Sequence, residues 1–241
     1  MTSSIGATSL SERVVLVIHA RMGSVRFPGK MLASLGGAPV LEWVIRRSMR
    51  TVGIAQVVLA TSTLQQDDPI SSLGVQLGTA VFRGSHDNVL ERVVLAARQH
   101  RATAVVRVCA DNPFVDPELI TELVDSFKDR DLDYMFNHRP GLGLEIADGF
   151  GAEIFRFIAL QSVSDRFLEP RYREHLTSPF WEHQEVFKIE ALDIHPELRA
   201  PEVRFDIDAP EDLAFLERLV KAGMITFDTP AARILETSRR V

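Results

Sequence analysis

The residues whose types and spacing first indicate chemistry occupy positions 19–30, which read H-A-R-M-G-S-V-R-F-P-G-K. This segment contains three cations, Arg21, Arg26 and Lys30. An arginine can bind two phosphate oxygens at once, and a lysine brings a compact charge at a fixed reach. The backbone N–H groups of Gly23 and Ser24 can approach a phosphate closely, because glycine lacks a Cβ. The segment therefore predicts a phosphate-binding loop, with a basic turn of solvated arginines as the alternative.

The position of this segment supports the first interpretation. It follows the apolar run 14–18, which predicts a strand that ends at Ala20. A loop at the end of a strand is where phosphates are commonly bound. The segment matches neither the G-x-x-x-x-G-K-[ST] pattern nor the G-x-G-x-x-G pattern, so it is neither a Walker A loop nor a dinucleotide fingerprint.

Two aspartates could hold a metal ion opposite this loop. Asp111 follows the predicted strand 104–109, and Asp208 follows a second short strand and precedes the helix that Pro210 begins. Mg²⁺ is typically held by one or two carboxylates together with phosphate oxygens and water. Asp208 could instead cap the helix, and Asp111 could simply form a turn.

Further polar residues lie at the ends of the second and third predicted strands. Thr61 and Ser62 follow the second strand and could contact a ribose or a base. Arg83 ends the third strand, and Asn88 and Arg92 follow it. We expect Arg83 and Asn88 to bind nucleotide, together with Ala20 of the phosphate loop, whereas an exposed helix position would equally explain Arg92.

These residues depend on an alternation of strands and helices. Strands are predicted at 14–20, 56–60, 79–82, 104–109 and 133–136, and helices at 39–50, 68–77, 88–100 and 117–127. Later segments predict strands ending at 155 and over 186–192 and 202–206, and a helix over 210–221. This order predicts βαβ units and a mostly parallel sheet with helices on both faces. Its ligands bind beyond the carboxyl ends of the strands.

Composition restricts the class of protein. The chain has 241 residues with a net charge of −6, which argues against binding to nucleic acid or to an anionic membrane. Its single cysteine, Cys109, excludes an internal disulfide and is typical of the cytoplasm. No apolar run approaches the roughly 20 residues that span a bilayer. We predict a flexible tail over 1–12 and a single domain over 13–241, with an inserted lobe at about 138–190.

The loop A-R-M-G-S-V-R-F-P-G-K-M-L resembles the opening motif of the sugar nucleotidyltransferases. The resemblance is closest to the cytidylyltransferases typified by CMP-Kdo synthetase and the spore-coat polysaccharide biosynthesis proteins. Later blocks match in order, among them V-L-A-T-S, R-V-C-A-D-N-P-F-V-D-P, Y-R-E-H-L-T-S-P-F and F-D-I-D-A-P-E-D-L. The resemblance runs from about residue 14 to 219 and implies a Rossmann-like three-layer α/β/α fold.

The resemblance also implies an activity, the transfer of CMP from CTP to an acidic sugar, a sugar phosphate or a similar acceptor. It implies catalytic roles for Arg21, Lys30 and Asp111, and a Mg²⁺ ion held by Asp111 and Asp208. Glu153, Arg173 and His175 match family positions in the acceptor lobe, although a glutamate at 153 could also simply face water. We predict substrate binding for His175 rather than a role as catalytic base.

Several alternatives remain open at this point. The aromatic residues Tyr172, Phe180 and Trp181 could form a homodimer surface, as in related synthetases, or the core of the lobe; we favour the homodimer. The same fold could use another nucleoside triphosphate with a non-sugar alcohol, phosphate or phosphonate. A non-catalytic nucleotide-binding relative is a further alternative. His19 and Phe27 depart from the family motif, which usually has glutamine and leucine there.

Overall fold

The computed structural model describes residues 12–138, 145–193 and 195–241. The predicted tail lies outside these residues except for Glu12, and so do residues 139–144 of the predicted lobe. In the described part of the chain, every helix is too short or too polar to cross a membrane.

A seven-stranded sheet forms the centre of the structure, in the order β5-β4-β1-β6-β8-β7-β9. Its strands are β1 (Val14–His19), β4 (Gln56–Ser62), β5 (Ala80–Gly84), β6 (Ala104–Cys109), β7 (Tyr134–Phe136), β8 (Glu153–Arg156) and β9 (Ile189–Ala191). Strand β8 is antiparallel to both of its neighbours, and the other pairings are parallel. A separate antiparallel pair consists of β2 (Ser34–Leu35) and β3 (Ala38–Pro39).

Helices cover the sheet. They are α1 (Val40–Ser48), α2 (Asp68–Gln76), α3 (Val89–Gln99), α4 (Pro117–Phe127), α5 (Phe157–Arg166), α6 (Pro170–Glu174), α7 (Ser178–Glu182), α8 (Pro210–Gly223) and α9 (Ala231–Ser238). Proline occupies the first turn of α4 and α8, where its missing N–H leaves no helical hydrogen bond unmade.

Alternate residues of the central strand face the two halves of the core. Val15 and Val17 pack in one apolar cluster with residues of α3 and α5, and Leu16 and Ile18 pack in the other with residues of α1 and α4. A strand covered on both faces must be apolar at every position, which explains the unbroken run V-V-L-V-I.

The chain order of the strands determines where a ligand can bind. From β1 the chain moves outward through β4 to β5, and it then returns to the other side of β1 with β6. This reversal opens a crevice beyond the carboxyl ends of β1 and β6. The phosphate loop follows β1 and Asp111 follows β6, so both lie at this crevice.

The predicted fold class is confirmed, and helix α4 has the predicted bounds. The predicted strand 202–206 is wrong. Around Arg204 the chain forms an isolated bridge rather than a strand, because the segment that contains Asp148 pairs with it at a single position. Strand β8, which belongs to the predicted lobe, is part of the main sheet.

Candidate active site

The phosphate loop lines a cavity of about 420 Å³. All six predicted loop residues, Ala20, Arg21, Gly23, Ser24, Arg26 and Lys30, lie in its wall, together with Val25. A Cβ added at Gly23 would lie 3.5 Å from the Gln66 side chain, which is an ordinary contact. Packing within the protein therefore does not require glycine at this position, in agreement with a glycine kept for the approach of a ligand.

Asp67 anchors the loop from behind. Its carboxylate accepts a hydrogen bond from the backbone N–H of Met22 at 2.7 Å and a second from the Ser62 hydroxyl. Asp67 is fully buried. Because a backbone group next to Arg21 is tied to the end of β4, the loop is held in place before any ligand binds.

Lys30 connects the loop to both predicted metal ligands. Its Nζ lies 3.0 Å from Asp111 Oδ2 and 3.9 Å from Asp208 Oδ1, and it donates to the carbonyl of Ile207 at 2.6 Å. The two segments also meet through the Ile207 N–H, which donates to the carbonyl of Asp111 at 2.9 Å. Two aspartates that are 97 positions apart in the chain therefore face one point.

Asp208 does not take its alternative role as a helix cap. The N-cap of α8 is Ala209, and Asp212 rather than Asp208 accepts the hydrogen bonds of the N-terminal backbone. The side chain of Asp208 is left to pair with Lys30 and Arg26. Within the described ranges no three metal-ligating side chains cluster, so two carboxylates would need phosphate oxygens and water to complete octahedral coordination.

The other four predicted nucleotide ligands lie outside the cavity wall. Thr61 and Ser62 are fully buried, and the Ser62 hydroxyl donates to Asp67. Arg83 donates to the carbonyls of Ser62 and Leu64 and pairs with Asp68. Asn88 caps α3 by accepting from the Glu91 N–H.

Arg92 occupies the cavity wall that these residues were expected to form. It is buried, and its Nη1 donates to the carbonyls of Ser85 and His86. Burial and the nearby Arg21 lower the pKa of its guanidinium. The sequence equally allows an exposed position on the helix for Arg92, because it does not show which face of α3 packs inward.

A second cavity of similar volume adjoins the first, and the walls of both include Arg107, Cys109, Asp111 and His175. The wall of the second cavity is polar, and its other residues are Asn112, His138, Asp148, Glu153, Thr177 and Asp206. A polar cavity next to the phosphate loop is suited to a ligand rich in hydroxyl groups.

The predicted acceptor ligands have different surroundings. His175 is part of the wall of both cavities, whereas Arg173 is exposed and lies outside both. Glu174, between them, pairs with Arg21 of the phosphate loop. Glu153 is only 1% exposed. Its two oxygens accept hydrogen bonds from the hydroxyl of Tyr134 and from Arg107.

The walls of both cavities include a charged residue, Arg107, that the sequence motifs did not indicate. Arg107 donates to His19 Nε2 at 3.0 Å and to Glu153 Oε2 at 2.6 Å. Burial and the charge of Arg107 hold the pKa of His19 well below its usual value, so the imidazole is neutral. Burial also raises the pKa of the Cys109 thiol to about 12. Burial alone would raise the pKa of Glu153, but Arg107 and His138 lower it overall.

The aromatic residues of the predicted lobe pack inside the chain. Tyr172 and Phe180 are buried, and the ring of Trp181 stacks edge-on against Tyr134 and Phe136 of the main sheet. These contacts agree with the alternative that the cluster is a core, and the homodimer stays a prediction.

Comparison with known proteins gives consistent similarities over nearly the whole chain. A family model described as cytidylyltransferase matches residues 15–236. Spore coat polysaccharide biosynthesis protein SpsF of Bacillus subtilis is 29% identical over 231 residues, which cover 94% of each chain. The structure of a cytidylyltransferase from Leptospira borgpetersenii superposes with a TM-score of 0.88 at 26% identity, and the match covers 95% of this chain and 94% of that one.

A more distant structure shares the fold. It is that of a CMP:2-keto-3-deoxy-manno-octonic acid synthetase complexed with CTP, with a TM-score of 0.66 at 17% identity. The match covers 87% of this chain and 99% of the other.

Proposed function

The chain belongs to the cytidylyltransferase family, and on this premise we propose that it transfers CMP from CTP to a sugar acceptor and releases pyrophosphate. The observation that carries the proposal is the position of Lys30. Its ammonium lies in the wall of the phosphate-loop cavity and faces both Asp111 and Asp208. Cations for a triphosphate and carboxylates for a divalent ion therefore meet in one cavity.

The phosphate loop would bind the triphosphate. Arg21 and Arg26 are more exposed than Lys30 and can turn toward β- and γ-phosphate oxygens, and the backbone at Gly23 leaves room for their approach. These cations pair with Glu174 and Asp208. The phosphates would replace these carboxylates as their partners.

Asp111 and Asp208 would hold Mg²⁺, since the donor set matches the one or two carboxylates that this ion commonly takes from a protein. When bound, Mg²⁺ neutralises negative charge on the α-phosphate and on the departing pyrophosphate. Lys30 is buried and lies against both carboxylates, so it holds them close together.

The acceptor would occupy the second, polar cavity beside the reacting phosphate. The hydroxyl oxygen of the acceptor forms a bond to the α-phosphorus and loses its proton to solvent. The bond from that phosphorus to the β-bridging oxygen breaks, and the electron pair leaves with pyrophosphate. His175 lies in the walls of both cavities and can orient the acceptor by hydrogen bonding. Placing the two substrates in line contributes most of what such an enzyme must do.

Pyrophosphate release tests the proposal. The protein is incubated with Mg²⁺, one of CTP, UTP, GTP or ATP, and a panel of acidic sugars, sugar phosphates and neutral sugars. We expect release with CTP and at least one sugar, and a loss of about 100-fold in Asp111→Asn. Asp228→Asn, a change in an exposed surface carboxylate, is the matched control and should retain activity. Activity with another triphosphate but not CTP, or an unaffected Asp111→Asn variant, would contradict the proposal.

A further inference from the structure

The place where the two cavities meet must hold the reacting atoms, because the transfer joins the α-phosphate of one substrate to an oxygen of the other. The residues in both walls are Arg107, Cys109, Asp111 and His175. Among these shared residues, Arg107 is the one with a permanent positive charge. Charge develops on the non-bridging oxygens of the α-phosphate during transfer, and a cation fixed nearby stabilises it.

Arg107 is fixed on two sides and open on a third. Its Nη1 donates to Glu153 and its Nε donates to His19. Nη2 has no hydrogen-bond partner among the described residues and is not enclosed by them. The side chain is 15% exposed. Arg107 therefore lines both cavities with one donor group that no described residue engages, and its guanidinium has little freedom to move away.

Glu153 holds this arrangement from below. Both of its oxygens are occupied, one by Arg107 and the other by the Tyr134 hydroxyl at 2.7 Å. A carboxylate with both oxygens engaged inside the protein is poorly placed to bind an acceptor. A buried ion pair is also commonly no more stabilising than a pair of apolar residues, so stability alone does not account for placing it at the cavity floor.

We propose that Arg107 is a catalytic residue that donates a hydrogen bond from Nη2 to a non-bridging oxygen of the α-phosphate, and that Glu153 is a positioning residue for it rather than an acceptor ligand. This inference rests on the proposed function. The guanidinium is in place before the substrate arrives, so no free energy is spent on orienting it during transfer.

A double variant separates this role from a purely structural one. Arg107→Met or Glu153→Gln alone leaves one partner of a buried pair uncompensated, and each single variant is expected to be destabilised for that reason alone. Arg107→Met combined with Glu153→Gln removes both charges, and the amide oxygen at 153 can still accept from the Tyr134 hydroxyl. The exposed pair Arg130 and Glu190 provides the matched control, Arg130→Met with Glu190→Gln.

Calorimetric binding of cytidine and CMP in the presence of Mg²⁺ measures the contact, because CMP adds the α-phosphate alone. We expect the double variant to melt near the wild-type temperature and to bind cytidine normally. Its CMP affinity should fall at least tenfold, and its rate of pyrophosphate release about 100-fold. The control double variant should match the wild type in all of these measurements.

Two results would overturn the inference in distinguishable ways. Suppose that the double variant melts near the wild-type temperature, binds CMP like the wild type and releases pyrophosphate at the wild-type rate. Arg107 and Glu153 are then a structural ion pair only. If the wild type itself binds neither CTP nor CMP, the proposed function fails and the inference fails with it.

Discussion

Replacing Asp67 by alanine should loosen the phosphate loop at its attachment to the sheet. The side chain is fully buried, and its two oxygens accept from the Met22 N–H at 2.7 Å and from the Ser62 hydroxyl. Alanine removes both acceptors and leaves two donors without partners inside the protein. We expect the loop to lose order and CTP to bind more weakly.

The size of the effect follows from the contacts. A hydrogen bond to a charged group contributes about 1.5–3 kcal/mol, so losing two should lower the free energy of unfolding by about 3–6 kcal/mol. Ser62→Ala removes one of them and also the acceptor of the Leu64 N–H, so it should cost somewhat more than half as much. Asp68→Ala is the matched control, because the neighbouring carboxylate is about half exposed and pairs with Arg83 at the surface. An exposed pair of this kind contributes about 1 kcal/mol or less.

Urea unfolding and amide hydrogen exchange of residues 20–30 measure the two consequences. Asp67→Ala should unfold at a lower urea concentration than Asp68→Ala, and its loop amides should exchange faster. The reasoning is refuted if the two variants differ by less than about 1 kcal/mol, since the buried acceptor would then contribute no more than a surface ion pair.

Three further predictions concern Cys109, Arg47 and Gly23. Because burial raises the pKa of Cys109 to about 12, iodoacetamide at pH 8.5 should alkylate the native thiol at least about 100-fold more slowly than the urea-unfolded chain; equal rates by mass spectrometry would contradict this. Arg47→Met should cost about 3–5 kcal/mol in urea unfolding, because it leaves Asp116 buried without its cation; a cost below about 1 kcal/mol would be inconsistent. Gly23→Ala should leave stability unchanged but weaken CTP binding in calorimetry. Gly151→Ala should cost about 1–3 kcal/mol in stability, because its Cβ would lie 2.4 Å from Asn137 Oδ1. Equal stability losses in the two variants would show that the loop glycine is structural.

Local pattern in the sequence predicted several elements within a few residues of their observed bounds. Strand β6 and helix α4 have the predicted bounds, because an apolar run and a proline-initiated amphipathic period each specify a structure within a few residues. The segment around Arg204 was predicted as a strand and is not one. Its conformation depends on the residues available to pair with it, and its own pattern does not contain that information.

The phosphate loop and Asp111 could also be identified from sequence, because each follows a strand and the carboxyl ends of parallel strands meet at one edge. Asp208 is not preceded by a strand, since the segment around Arg204 forms only an isolated bridge, and its match to a family motif is what identified it. Residues chosen for being near a strand end alone, such as Thr61 and Ser62, turned out to be buried. A strand end places the backbone at the edge of the sheet. It does not determine on which face of the strand a side chain lies or what covers it.

The sequence by itself thus determined the class of fold, the cationic loop and the pair of carboxylates opposite it, because these are encoded in runs of adjacent residues. Only the tertiary structure decided that Asp67 anchors the loop and that Arg92 is buried in the cavity wall. It also decided that Glu153 pairs with Arg107. The Glu153 contact arises because β8 lies antiparallel to β6 with Glu153 opposite Arg107. Strand order and register bring together residues that are distant in the chain, and no local periodicity specifies them.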